Sequence, residues 1–183
     1  MQFFFEKDDI NGLSECLEFC NERVILKSKK EVIFLCIGTD KIIGDSFGPI
    51  VGHFLKQNNY TVYGDLEKTV NGTNLIKYIE KINENHKSPY IIVLDSALGE
   101  KDMVNKIVVG KGGIKPGSAL NKNNKIIGDL YINAVVGVNC NNNFEELKNA
   151  KLYNVLSLSN TVYESISKTI CLNKNKIVNN YIS

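Results

Sequence analysis

Cys36-Ile37-Gly38-Thr39-Asp40-Lys41-Ile42-Ile43-Gly44-Asp45-Ser46-Phe47-Gly48-Pro49 is the stretch on which the reading of this chain turns. The nearly continuous apolar run Val32 to Ile37 predicts a buried strand. It empties into a polar loop that carries Asp40 and Asp45. Beyond the loop, Phe47, Ile50, Val51, Phe54 and Leu55 fall on one helical face. Pro49 is tolerated there because it lies in the first turn. A second apolar run, Tyr90 to Leu94, ends the same way, in Asp95-Ser96-Ala97-Leu98-Gly99. Ligands of open α/β sheets sit at the carboxyl ends of strands. Asp45 and Asp95, delivered to that edge, are candidates for a paired-carboxylate site.

The same pattern extends outward from these two strands. Ile10, Leu13, Leu17 and Val24 recur at helical spacing and predict a helix over 9–26. Tyr60 to Tyr63 reads as a short strand. A helix starts near Thr73, with Leu75, Ile76, Ile79 and Ile82 on its apolar face. Ile107 to Val109 and Leu130 to Val138 read as strands. Between them, two glycine-containing turns, Gly110 to Gly113 and Pro116-Gly117-Ser118, imply a long shaped loop. Leu152 to Ile170 predicts a long helix with Leu152, Val155, Leu156, Ser159, Val162, Tyr163, Ile166 and Ile170 on one face. The Asn-rich spots at Asn121 to Asn124 and Asn139 to Asn143 read as loops. Alternating strands and helices predict an α/β fold, a three-layer α/β/α sandwich around a mostly parallel or mixed sheet. A single domain is expected over 1–183, with 1–30 as an N-terminal helical extension and 31–173 as the core.

Composition narrows the function classes. A chain of 183 residues that is 43% hydrophobic and 23% charged fits an ordinary globular protein. A net charge of +2, with lysines spread along the chain, argues against a nucleic-acid or membrane surface. No apolar run approaches the roughly 18 residues needed to span a bilayer. The start, Met1 to Asp9, has no basic segment ahead of a long apolar run, so the expected compartment is the cytoplasm. Five scattered cysteines do not suggest a disulfide framework. Cys16 and Cys20 have the i, i+4 spacing of half a metal site, but no second pair matches it. As an alternative they are small apolar residues.

The glycine loop fails the phosphate tests. A P-loop ends in Gly-Lys-Ser or Gly-Lys-Thr, whereas Gly44-Asp45-Ser46 puts an anion there. Gly38 and Gly44 are too far apart for the dinucleotide fingerprint. Asp45 also has a structural reading, as a helix N-cap contributing about 1 kcal/mol. Asp95 could likewise only hold a loop. Asp40 and Asp129 are further candidate carboxylates.

Taken together, these motifs resemble the YyaC-type sporulation proteins, which are similar to the spore germination protease. The resemblance spans roughly Val32 to Ile170. It rests on Cys36 to Asp40, Gly44 to Pro49, Leu94 to Gly99, Lys115 to Ser118 and Gly128-Asp129. The germination protease has an Asp-Ala-Leu-Gly-Pro segment, matched here by Asp45 to Pro49. Its Ile-Asp-Ala-Leu segment is matched by Leu94 to Leu98, and its Pro-Gly-Ser-Gly loop by Pro116 to Ala119. The resemblance implies Asp45 and Asp95 as a catalytic pair. It also implies the α/β sandwich shared with hydrogenase maturation endopeptidases. Two departures stand out. The chain is much shorter than the germination protease, and where YyaC-like proteins show Pro-Val-His it has Thr69-Val70-Asn71. Hydrogenase maturation endopeptidases also use a downstream histidine, and none follows His86.

The implied activity is peptide hydrolysis in spore formation or germination, in the cytoplasm or the spore core. One carboxylate activates water while a protonated partner polarises the carbonyl and then protonates the amine. Close carboxyls cannot both ionise easily, so their pKa values split and they titrate as a unit. Asp40 and Asp129 are expected as supporting groups, with the backbone of Pro116-Gly117-Ser118 binding substrate. The expected partner is a protein or peptide substrate, with small acid-soluble spore proteins as the first candidates, and neither nucleic acid nor membrane. No cofactor is expected; a divalent metal, if one takes part, would be sought at the aspartates. The rival readings are a non-catalytic binding or regulatory protein that keeps the fold, and a metal-dependent maturation endopeptidase. Cys36 as a nucleophile would need an activating base.

Overall fold

A computed structural model describes residues 1–21, 30–114 and 126–180. The elements run β1 (Gln2–Glu6), α1 (Ile10–Asn21), β2 (Val32–Cys36), α2 (Phe47–Gln57), β3 (Val62–Tyr63), α3 (Leu75–Asn85), β4 (Tyr90–Gly99), β5 (Lys106–Lys111), β6 (Leu130–Val138), α4 (Asn143–Lys148) and α5 (Leu152–Asn180). One six-stranded sheet has the order β1-β5-β6-β4-β2-β3. β3, β2, β4 and β6 run parallel, while β5 is antiparallel to β6 and β1 to β5. The expected α/β/α sandwich with a mixed sheet is what forms.

Alternation along the strands sorts the core into two layers. Phe34, Ile92, Leu94, Ile107, Val109, Leu130 and Ile132 face α1, α2 and α5 through Leu13, Leu17, Val51, Leu55, Leu158 and Val162. On the other face, Ile33, Leu35, Ile37 and Val93 pack against Leu75 and Ile82 of α3. The central strands are covered on both sides, which explains their continuous apolar sequences.

Several details differ from the sequence expectation. Gln2–Glu6, expected within a helical extension, pairs in register with β5, from Gln2 opposite Gly110 to Glu6 opposite Lys106. Its Phe3, Phe4 and Phe5 alternate in burial as an edge strand should. Residues 143–148, whose first residue falls in a stretch read as loop, form α4, capped by the Asn142 side chain accepting from Glu145 N–H. The face of α5 is rotated from the one expected. Val155, Leu158, Val162 and Ile166 are buried, while Leu152 and Leu156 are exposed. In α3, Ile76 likewise points outward. The Pro116-Gly117-Ser118 loop and the Asn121 to Asn124 segment lie outside the described residues, as do Leu26 and the side chain of Cys171. Among the described residues, no helix is long and apolar enough to cross a membrane.

Candidate active site

Parallel pairing sets the two aspartates at one edge of the sheet. β2 and β4 run in register from Val32–Tyr90 to Cys36–Leu94, and Ile37 N–H donates to Leu94 C=O at 2.7 Å. Asp95 is therefore the first residue of β4 beyond the paired end of β2. The chain leaving β2 turns back through a 3-10 turn, Ile43–Ser46, which carries Asp45 into the start of α2. Gly38 makes the turn possible. Its φ is +141°, and a Cβ there would lie 2.0 Å from the Asp45 carbonyl oxygen. That carbonyl accepts from Thr39 N–H at 2.9 Å, closing the loop.

Ser96 joins the two carboxyls. Its N–H donates to Asp95 Oδ1 at 2.9 Å and its hydroxyl donates to Asp45 Oδ1 at 3.2 Å. Asp45 thus spends its side chain on the site, and α2 has no side-chain cap at its N-terminus. Both aspartates are half-buried. Burial, reinforced by the nearby Asp45 charge, pushes Asp95 from the ordinary value of 3.8 up to about 8. Burial also raises Asp45, opposed by the Ser96 hydroxyl and the Thr39 N–H, which favour its ionised form. The arrangement offers one acid and one base at the mouth of a parallel sheet.

The other candidates are placed differently. Asp40 is exposed on the turn after β2. Asp129 lies at the opposite end of β4. Its Oδ2 accepts from Ile91 N–H at 2.9 Å and its own N–H donates to Ile91 C=O at 2.8 Å, fastening the start of β6 to β4. Four residues of strand, about 13 Å, separate Ile91 from Asp95. Cys36 is fully buried; burial, then the Asp65 charge, push its thiol far up, so it stays protonated. His53 bonds Gln57, and His86 bridges Tyr63 and Glu31. Cys16 and Cys20 lie on the inner face of α1, buried in the core.

The stretch that departs from the resembling family lies on the same sheet edge. Val70 bridges Ile37, and its carbonyl accepts from Gly38 N–H at 2.7 Å. Asn71, where the resemblance leads one to expect a histidine, accepts from Thr73 N–H and Oγ–H and so shapes the entry to α3. No group of three or more His, Cys, Asp or Glu side chains that could hold a metal forms among the described residues. Two carboxylates alone do not match the four-ligand sets of structural sites or the three protein ligands usual in catalytic zinc sites.

Two residues at this edge are not apparent from the sequence. Ser96 falls within the Leu94 to Gly99 motif, yet nothing in its spacing shows that it spans both carboxyls. Asp65 is 4% exposed and holds the loop leading to Val70 through Glu67 N–H, Lys68 N–H and Lys56.

Residues 4–165 match a family described as protein of unknown function DUF1256. The chain belongs to that family. It is 38% identical over 143 residues to the Bacillus subtilis (strain 168) protein named Uncharacterized protein YyaC, covering 76% of this chain and 70% of the relative. Among solved structures, it is similar to the [NiFe] hydrogenase maturation protease HybD from Thermococcus kodakarensis. The identity there is 15% and the TM-score 0.49, with 75% of this chain and 97% of that one covered.

Proposed function

We propose that this DUF1256 member is a peptidase that hydrolyses peptide bonds with the Asp45–Asp95 pair. The observation that carries the reading is Ser96, hydrogen-bonded to both carboxyls at the carboxyl edge of the parallel strands. Asp95, held above neutrality, supplies the acid, and Asp45, whose charged form is stabilised by Ser96, supplies the base. Asp45 takes a proton from water as the hydroxide adds to the scissile carbonyl carbon. Asp95 gives its proton to the carbonyl oxygen. The amine nitrogen then takes the proton from Asp45, the C–N bond breaks, and Asp95 recovers its proton from the product carboxyl. These steps use the two carboxyls and water alone.

The substrate class we propose is a small protein, with acid-soluble spore proteins as the first to try. The test is cleavage read by intact mass, comparing wild type with Asp45→Ala and Asp95→Ala, with and without a chelator. Discrete cuts that survive the chelator and vanish in both variants support the pair. Cuts retained in full by either variant refute it. A binding protein that keeps the fold is favoured by one observation, the use of Asn71 as a loop-shaping residue where the family's histidine is expected. No cleavage by folded wild type across a range of pH would select that reading.

A further inference from the structure

Asn133 lies directly beside Asp95. The two are register partners on the parallel strands β4 and β6, so their Cα atoms are about 4.8 Å apart and their side chains share a face. The Asn133 Oδ1 is buried and has no hydrogen-bond partner among the described residues. An orphaned buried acceptor is unusual and needs a donor.

The neighbours on that face narrow the choice. Along β6 they are Tyr131 and Val135, and across β5 the partner is Val108. The Tyr131 ring lies over Gly110, where an added Cβ would come within 2.3 Å of its hydroxyl, and that hydroxyl accepts from the Gln2 amide. It thus points away from Asp95, towards the β1 edge. Lys106, farther along the same face of β5, is paired with Glu6 at 3.4 Å. On the other flank of Asp95, β2 presents Ile37. The charged group that acts on Asp95 is Asp45, which cannot donate while ionised. Among these described neighbours, what remains is the proton of Asp95 itself. Its Oδ1 already accepts from Ser96 N–H, which leaves Oδ2 to carry the proton.

We propose that Asn133 accepts a hydrogen bond from the Asp95 carboxylic acid and is the positioning residue that keeps Asp95 the proton donor of the pair. A carboxylate there would face the amide oxygen lone pair to lone pair, so the contact selects the neutral form. The catalytic meaning of this bond rests on the peptidase reading; the bond itself does not.

The test is a carbon-detected titration of the aspartate carboxyls in substrate-free protein, wild type against Asn133→Leu. Leucine adds apolar surface, which by itself would raise the Asp95 midpoint. Loss of an acceptor for the acid lowers it. A fall of about one pH unit or more supports the bond; an unchanged or higher midpoint overturns it. Should Asn133→Leu fail to fold, Asp95→Asn and Asp95→Leu decide at pH 5. The first keeps an N–H donor for Asn133 and the second does not. The bond predicts a melting temperature lower by about 4 °C in Asp95→Leu than in Asp95→Asn, and equal values overturn it. If the midpoint falls but no peptide is cut, the bond stands and the peptidase reading fails. Cleavage with an unmoved midpoint sinks the bond and leaves the peptidase reading standing.

Discussion

The Ser96 hydroxyl donates to Asp45 Oδ1 at 3.2 Å, across 51 residues of chain, and so ties the turn ahead of α2 to the end of β4. This bond favours the ionised form of Asp45 against the burial that opposes it. Ser96→Ala removes the donor and lets the Asp45 pKa climb further. The acid limb of the pH–rate profile for peptide cleavage should move upward, with kcat/KM well below that limb falling about tenfold for each pH unit of the shift. Because Ser96 N–H still holds Asp95, the basic limb should stay in place. An unmoved acid limb would dissociate the hydroxyl from Asp45 ionisation.

Asp95 makes stability depend on pH. Below about 4 the carboxyl is protonated in both the folded and the unfolded chain and costs nothing. Between there and about 8 the folded state keeps a proton that the unfolded state has released, so stability falls as pH rises. Above that the penalty is complete. Asp95→Asn abolishes it and should be more stable than wild type by about 2–5 kcal/mol at pH 9, with little difference at pH 4. Urea denaturation at the two pH values measures the gap. A constant gap would show that Asp95 is not held neutral.

Much of this was legible in the chain. The apolar runs at Val32 to Ile37 and Tyr90 to Leu94 are long enough to mark central strands. The aspartates that follow them reach one edge because parallel strands in register end together. Edge strand β1 was hidden because Phe3, Phe4 and Phe5 form a run without alternation in residue type, and only pairing with β5 sorts them into two faces. The α5 face differs from the expected one by a fraction of a turn, since Thr161 and Ser165, polar and outside the expected stripe, are buried there along with the expected Ser159. Ser159 bonds its own helix, Thr161 the Lys7 carbonyl, and Ser165 the Ile10 carbonyl of α1. Asn133 is a lone polar residue in the strand Leu130 to Val138, a signal that composition alone could not connect to Asp95.

Two glycines with positive φ should respond differently to a methyl group. At Gly38, φ is +141° and the new Cβ would sit 2.0 Å from the Asp45 carbonyl oxygen, a backbone atom that cannot swing aside. Gly38→Ala should cost about 2–4 kcal/mol and displace Asp45, so that stability and cleavage fall together. At Gly112, φ is +92° but nothing among the described residues lies within 4 Å. Gly112→Ala should cost only about 1 kcal/mol, from the backbone conformation alone. Chemical denaturation of the pair, with the Asp45 titration as a second readout, checks both. Equal costs would mean that the Gly38 turn relaxes without moving the site.

Asp65 supports the site from beneath. Its Oδ1 accepts from Glu67 N–H at 2.7 Å and Lys68 N–H at 2.9 Å, and its Oδ2 from Lys56 Nζ at 2.8 Å. Burial pushes its carboxyl up, but Lys56 and the two backbone N–H groups outweigh this and hold it below the ordinary value. Its contribution is therefore present above the unfolded pKa and is lost as pH falls through the folded one. Asp65→Ala strips the loop of three partners and should cost about 2–4 kcal/mol at pH 7, a loss that shrinks in acid. The loop ends at Val70, whose carbonyl holds Gly38 N–H, so peptide cleavage should weaken as well. Lys56→Ala, at a side chain 45% exposed, should be milder because both backbone N–H bonds remain. Equal losses in the two variants would assign the stabilisation to the ion pair and not to the loop that Asp65 organises.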